Sequence, residues 1–340
     1  MVAEIQPQDS PRVRSRVVVA LLVAIAATAI AWVKAHAPDS GFSVDFNYYW
    51  MGGKEVLAGH DPYKTVAPFI YPLTAAVAVA PLAWLALIPA GVVFVGLSMG
   101  CCAFALTREG WGRLPILMSF PALWAMSSGQ WAPLVACAAL SSGFGWAAAC
   151  KPTLGIVMLA RRMNWKGFAV AIAFGVLTLF VQPLWPLSWL AAMRQFSAEK
   201  LHHIPILIPG GILLLLAAFR WRTPDGRLLL GMALIPQSMF AYDQFALGLL
   251  ARTRLEAIVW GLWSYVAMFV GYLLVPSSLA DTKAANAAYF ARVIVWGYYL
   301  PALIVVLSRG AKPDLLARLL PRGLARTKEN LDTPRSTLGR

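Results

Sequence analysis

The chain has 340 residues, with 29 Lys or Arg against 15 Asp or Glu and a formal net charge of +14. Charged residues make up 13% and hydrophobic residues 59%, roughly half the charge of soluble domains. Charge-free stretches at 17–33, 65–107, 114–150, 167–193, 201–219, 228–242, 257–280 and 293–308 exclude a soluble enzyme, a nucleic-acid binder and a disordered chain. They are continuous rather than alternating, which also excludes an outer-membrane barrel.

In chain order, Arg12, Arg14 and Arg16 precede an apolar run from Val17 to Val33. Ala35-His36-Ala37 has the small residues of a signal-peptide cleavage site. Lys34 before it and Pro38 after it favour an uncleaved first span with its arginines in the cytoplasm. Residues 1–16 are then a cytoplasmic arm, 17–308 one transmembrane domain with a first external loop at about 36–66, and 309–340 a basic cytoplasmic tail. The runs suggest an all-α, polytopic helical membrane protein of about 10–12 transmembrane helices. Twelve candidate crossings fall at 17–35, 67–87, 89–107, 114–127, 129–143, 144–160, 167–187, 204–219, 228–239, 240–251, 255–275 and 289–308. Several are short and interrupted by residues such as Pro133 and Pro236. These suit half-helices, which a membrane tolerates where protein buries them. The twelve-span count sets most basic residues inside, with Arg108 and Arg113 outside as its weakest point. It also places all four histidines, His36, His60, His202 and His203, outside.

Ionisable residues at membrane depth are costly and therefore candidates for function. In the first loop, helical spacing puts Asp45, Tyr48, Tyr49 and Gly52 on one stripe, an acid on an aromatic face opened by glycine. The structural alternative for Asp45 is a helix N-cap. Tyr63 follows the turn at Asp61-Pro62, and Tyr71 opens the next apolar run as either a site residue or an interfacial anchor. Gln130 suits a ligand hydroxyl or a neighbouring helix. Lys151 is the only base between 114 and 160. It must snorkel, pair with an acid or bind an anion. Asp243 is the only carboxylate in the interior of a candidate span, with Lys151, Arg252 and Arg254 as possible partners. Arg194, Lys200, His202 and His203 form an external basic cluster that suits a lipid phosphate or is simply solvated. The four cysteines, Cys101, Cys102, Cys137 and Cys150, lack metal-site spacing and read as packed thiols. No GxGxxG, GxxxxGK[ST], HExxH or GxSxG occurs, so neither metal nor cofactor is expected.

The run Asp45-Phe46…Tyr49…Gly52…Leu57…Gly59…Asp61-Pro62-Tyr63, then Tyr71-Pro72, Gly129-Gln130, Lys151-Pro152 and Pro236-Gln237-Ser238…Tyr242-Asp243, resembles glycosyltransferase family 87 over roughly residues 40–260. The resemblance implies a C-type fold in the cell (inner) membrane with its active site on the non-cytoplasmic face. It implies inverting transfer of a hexose, mannose being the family's usual sugar, from a polyprenyl-phosphate donor to a lipid or glycan acceptor. The family's general base matches Asp45. Tyr48, Tyr49, Tyr63, Tyr71, Gln130, Lys151, His202, His203 and Asp243 are the expected substrate-binding residues. Membrane lipids are the expected surroundings, and nucleic acid is not a partner. A transporter or flippase of a lipid-linked glycan is the rival reading, since broken helices and buried charges also build carrier sites.

Overall fold

A computed structural model describes residues 12–38, 41–67, 69–197, 203–237, 240–276 and 283–309. Among them the chain is helical throughout, and the only β-type pairing is an isolated bridge between His203 and Gln237. Four helical segments are long and apolar enough to cross a membrane: Val13–Ala35, Leu87–Glu109, Arg254–Leu273 and Ala285–Ser308. The chain is therefore an all-α, helical membrane protein.

Helix α1 (Val13–Ala35) is mostly exposed, and its interior contact is with α5 (Leu87–Leu106). Between them lie α2 (Val44–Leu57), α3 (Pro62–Thr65) and α4 (Leu73–Val79), the last followed by a 3-10 turn at Ala80–Leu82. The expected crossing at 67–87 is not an unbroken helix. Helix α4 has 7 residues against the ~20 a span needs, and Pro81 tightens the turn after it. Trp50 Nε1 donates to the Leu85 carbonyl at 3.1 Å, and Gly91 packs against Ser43 and Phe46, so this whole segment stays at one end of α5. At the other end of α5, Arg16 donates to the Phe104 carbonyl at 2.8 Å. Helix α5 thus returns antiparallel to α1. Arg108 and Arg113 therefore share an end with Arg16, contrary to their expected place beside the external loop.

Three hairpins rise from that basic end and turn back at a common level. The first climbs through a 3-10 segment, Trp111–Met118, and α6 (Phe120–Ser128), and descends through α7 (Ala132–Ala136) and Cys137–Ala139. The second is α8 (Gly145–Cys150) and α9 (Pro152–Arg161). Helices α10 (Trp165–Leu179) and α11 (Trp185–Ser197) and a 3-10 segment, Gly211–Arg220, lead to the third. It is α12 (Pro224–Leu234) and the 3-10 segment Ala241–Leu250. Helix α13 (Arg254–Leu273), then α14 (Lys283–Ile294), a π-helical turn at Val295–Tyr299 and α15 (Leu300–Ser308) complete the body. A ten-residue arm is ~15 Å long as α-helix or ~20 Å as 3-10 helix, short of the ~30 Å hydrocarbon layer. Several expected crossings between 114 and 251 are such arms.

Each hairpin tip carries a backbone breaker. Gly129 ends α6 at φ +66°, where a Cβ would lie 2.7 Å from that of Phe46, so the left-handed cap requires glycine. Pro152 disfavours helical geometry at the preceding residue, and Lys151 accordingly sits at φ −141°, ψ 77° between α8 and α9. Pro236 likewise forces Ile235 to an extended φ −89°, ψ 145° at the end of α12.

The hairpin bases are tied together by charge. Glu109 pairs with both Arg113 and Arg162. Buried Asp225 gathers Arg161 at 3.6 Å, Arg252 at 2.7 Å and Arg309 at 3.0 Å. Arg108 donates to the Leu140 carbonyl at 3.1 Å, and Arg227 to the carbonyls of Ala160 and Arg161. The four cysteines are free, three of them buried.

Candidate functional site

The three tips converge on a cavity of about 200 Å³, closed from the side by α2, the Ile70–Pro72 segment and α11. Its polar lining is Asp45, Tyr71, Gln130, Lys151, Thr153, Gln237 and Asp243, drawn from residues nearly 200 positions apart. Tyr242, Trp189, Phe240 and Met193 supply the aromatic and apolar wall. The volume is below the ~300 Å³ where drug-sized ligand pockets begin, and suits one small polar group flanked by apolar surface.

Asp45 lies in the first turn of α2, where a carboxylate also meets the positive end of the helix dipole. It is not the cap. Ser43 holds that position, with a left-handed φ of +61° and its N–H donated to the Ser127 carbonyl at 2.9 Å. This cross-link joins the start of α2 to the tip of the first hairpin. The Asp45 carboxyl instead lines the cavity beside Gln130 and Lys151. Burial pushes it above the usual carboxylate range, while the Gln130 amide and the Lys151 ammonium pull it back. A carboxylate whose affinity for a proton is raised in this way is a candidate proton acceptor.

Gln130 is 2% exposed and occupies the centre of the network. It shares the cavity wall with Tyr71, and its Oε1 accepts from Lys151 Nζ at 3.4 Å. Lys151 donates to Asp243 at 2.5 Å, with side-chain exposures of 16% and 4%, and stands 4.9 Å from the centroid of the Tyr242 ring. Of the three roles open to Lys151, the structure shows pairing with an acid. Two carboxylates and one ammonium line the cavity, which leaves one formal negative charge when all three are ionised.

Five of the residues singled out in the sequence, Asp45, Tyr71, Gln130, Lys151 and Asp243, thus meet in one cavity. The other described candidates are not in its lining. Tyr49 is fully buried, so no ligand reaches it. Its hydroxyl donates to the Gly129 carbonyl, and its ring meets Tyr71 edge-on at 4.9 Å. Tyr63 donates to the Tyr71 carbonyl at 2.9 Å. Both tyrosines therefore fix Tyr71 and the first tip rather than line the cavity. Tyr48 is half-buried on α2 and is not part of the lining. His203 acts through its backbone, which exchanges hydrogen bonds of 2.8 and 3.0 Å with Gln237. His202 and Lys200 lie outside the described residues. Arg194, on α11, is exposed and away from the lining.

Gln237 and Trp189 are lining residues that were not singled out as site candidates. Gln237 stands out among the apolar residues of 228–242, and its amide donates to the Met232 carbonyl at 2.5 Å and to the Tyr299 hydroxyl at 2.7 Å. Trp189 donates its indole N–H to the Ile70 carbonyl at 3.0 Å. It lies in a charge-free run that gives no local sign of a site. Among the described residues no group of three or more His, Cys, Asp or Glu side chains is arranged to hold a metal ion.

No family model, no curated protein and no solved structure matches this chain.

Proposed function

We propose that the protein is an integral-membrane glycosyltransferase that moves a hexose from a polyprenyl-phosphate donor to a lipid or glycan acceptor, with Asp45 as general base. The observation that carries this reading is the Asp45 carboxyl, its proton affinity raised, in a small cavity shared with Gln130, Lys151 and Asp243. The motif resemblance to glycosyltransferase family 87 supplies the donor class and mannose as the first sugar to try.

In this mechanism the acceptor hydroxyl gives its proton to an Asp45 oxygen as its own oxygen bonds to the anomeric carbon. The bond from that carbon to the phosphate oxygen breaks, and polyprenyl phosphate leaves with the electron pair. Attack opposite the leaving group inverts the anomeric centre. A carboxylate beside the reacting carbon also favours the oxocarbenium character of the transition state, as it does in glycosidases. Trp189, Tyr71 and Tyr242 offer ring faces for the sugar. Lys151 is the one cation in the lining and is engaged by Asp243. A donor phosphate therefore has to share or take over the ammonium that Asp243 holds.

The test supplies purified protein in nanodiscs with radiolabelled polyprenyl-phosphate mannose, a parallel panel of other polyprenyl-phosphate hexoses, and a membrane extract as acceptor source. Label passing to a new lipid or glycan product supports the proposal. Label passing from a nucleotide sugar supplied in a parallel arm, and from none of the polyprenyl-phosphate hexoses, would overturn the donor assignment.

A further inference from the structure

The outer surface of the helical body carries an apolar groove between α1 and the first hairpin, with α13 contributing to both of its sections. A main section of about 860 Å³ and a smaller one of about 380 Å³ share Ile30, Leu123 and Met126, so the two are continuous. The groove ends beside Lys34 at the level of the external loop and beside Trp111 and Arg254 at the basic end. Its width comes partly from Ala26 and Ala27, where α1 presents only methyl groups. Gly112 sharpens the basic end, since a Cβ there would lie 3.2 Å from the Arg254 backbone nitrogen. The first hairpin and the start of α13 are therefore in close contact at the groove mouth.

Arg254 differs from the other arginines around it. It is exposed, and among the described residues it takes part in no ion pair. A second apolar groove of about 540 Å³ on the opposite side of α13 also ends at an arginine, Arg309. That side chain is committed to Asp225 at 3.0 Å and to Glu256 at 2.6 Å. Glu256, the acid nearest to Arg254 in the chain, is thus already neutralised. Arg254 also opens the 20-residue helix α13, whose amino end adds positive potential at the same point. Trp111 beside it is 42% exposed, as an aromatic residue at a lipid headgroup level is.

We propose that this groove binds an anionic phospholipid, its phosphate against Arg254 and the amino end of α13, and an acyl chain along Ala26, Met99 and Leu123. The apolar lining fits the chain of any phospholipid. The uncommitted guanidinium fits a headgroup with net negative charge. This site is separate from the cavity at the hairpin tips and does not depend on the transferase reading.

The test is native mass spectrometry of delipidated protein titrated with phosphatidylglycerol or phosphatidylcholine of identical chains. The wild type should retain phosphatidylglycerol roughly fivefold more strongly, the preference that one basic side chain gives at an anionic lipid surface. Arg254→Gln should bring the two lipids to parity. Ala26→Phe, an exposed position where added bulk occupies the groove, should weaken both. Melting temperatures equal to wild type show that the variants are folded, and Arg194→Gln, at the other end of the molecule, should leave the preference intact. The proposal fails if Arg254→Gln keeps the preference or the wild type shows none. It also fails if inorganic phosphate displaces the lipid at equal concentration, since the site would then read the headgroup anion alone.

Discussion

The Lys151–Asp243 pair gives the sharpest energetic prediction. Its side chains are 16% and 4% exposed at a separation of 2.5 Å, so each charge depends on its partner for much of what it lost on leaving water. Removing one member of such a pair costs about 3–5 kcal/mol. Asp243→Asn should fall near the lower figure, because Lys151 keeps Gln130 at 3.4 Å, the Tyr242 ring and the charge of Asp45. Lys151→Met should approach the upper one, since Asp243 is the more deeply buried partner. At ~1–2 °C per kcal/mol for a chain of this length, the milder variant should melt roughly 3–6 °C below wild type. The double variant Lys151→Met/Asp243→Leu replaces both charges by apolar groups, which is often close to neutral, and should be more stable than Lys151→Met alone. Unfolding followed by circular dichroism in one detergent measures all four proteins. Single-variant losses under ~1 kcal/mol, or a double variant no more stable than Lys151→Met, would refute the reasoning, because the loss is attributed to a buried charge left without its partner.

Other predictions concern the network, a tip and the hairpin bases. Gln130→Leu removes the neighbouring amide that holds the Asp45 carboxyl down. A base must be unprotonated to act, so the acidic limb of a pH–rate profile should move to higher pH, and an unmoved limb would argue against Asp45 as its source. Gly129→Ala places a side chain at φ +66° and against Phe46; it should cost at least ~1–2 kcal/mol, read as a lower melting temperature with the same pH limb. Asp225→Asn leaves Arg161, Arg252 and Arg309 without their shared carboxylate and should destabilise by about 3 kcal/mol or more, whereas the exposed pair Lys64–Asp61 should give under ~1 kcal/mol when broken.

The class of fold was legible because apolar runs without charge have no other home. The breakers Gly129, Pro152 and Pro236 were visible too, but hydropathy measures the length of an apolar run and not the depth it reaches. Residues 67–87 illustrate the difficulty: they are uniformly apolar, yet α4 is only two turns long and the chain stays at one end of α5. That shift brings Arg108 and Arg113 to the basic end, where they join Arg162 and Leu140. Asp45, Gln130, Lys151 and Asp243 stood out because polar groups in apolar surroundings need partners. Which partner each takes depends on three hairpins meeting, and no local pattern encodes that. Tyr49 and Tyr63 share the cavity's neighbourhood, and only packing distinguishes a wall residue from the one behind it. Trp189 reaches the cavity through α11, far from any polar signal.

The central claim is that Asp45 is the proton acceptor of a sugar transfer. It is tested most directly by comparing wild type with Asp45→Asn in the polyprenyl-phosphate mannose assay, both proteins first shown to melt alike. The account predicts that labelled product forms with wild type and is lost with the amide, which keeps the shape of the carboxyl and cannot take the proton. Equal product from both proteins would contradict it.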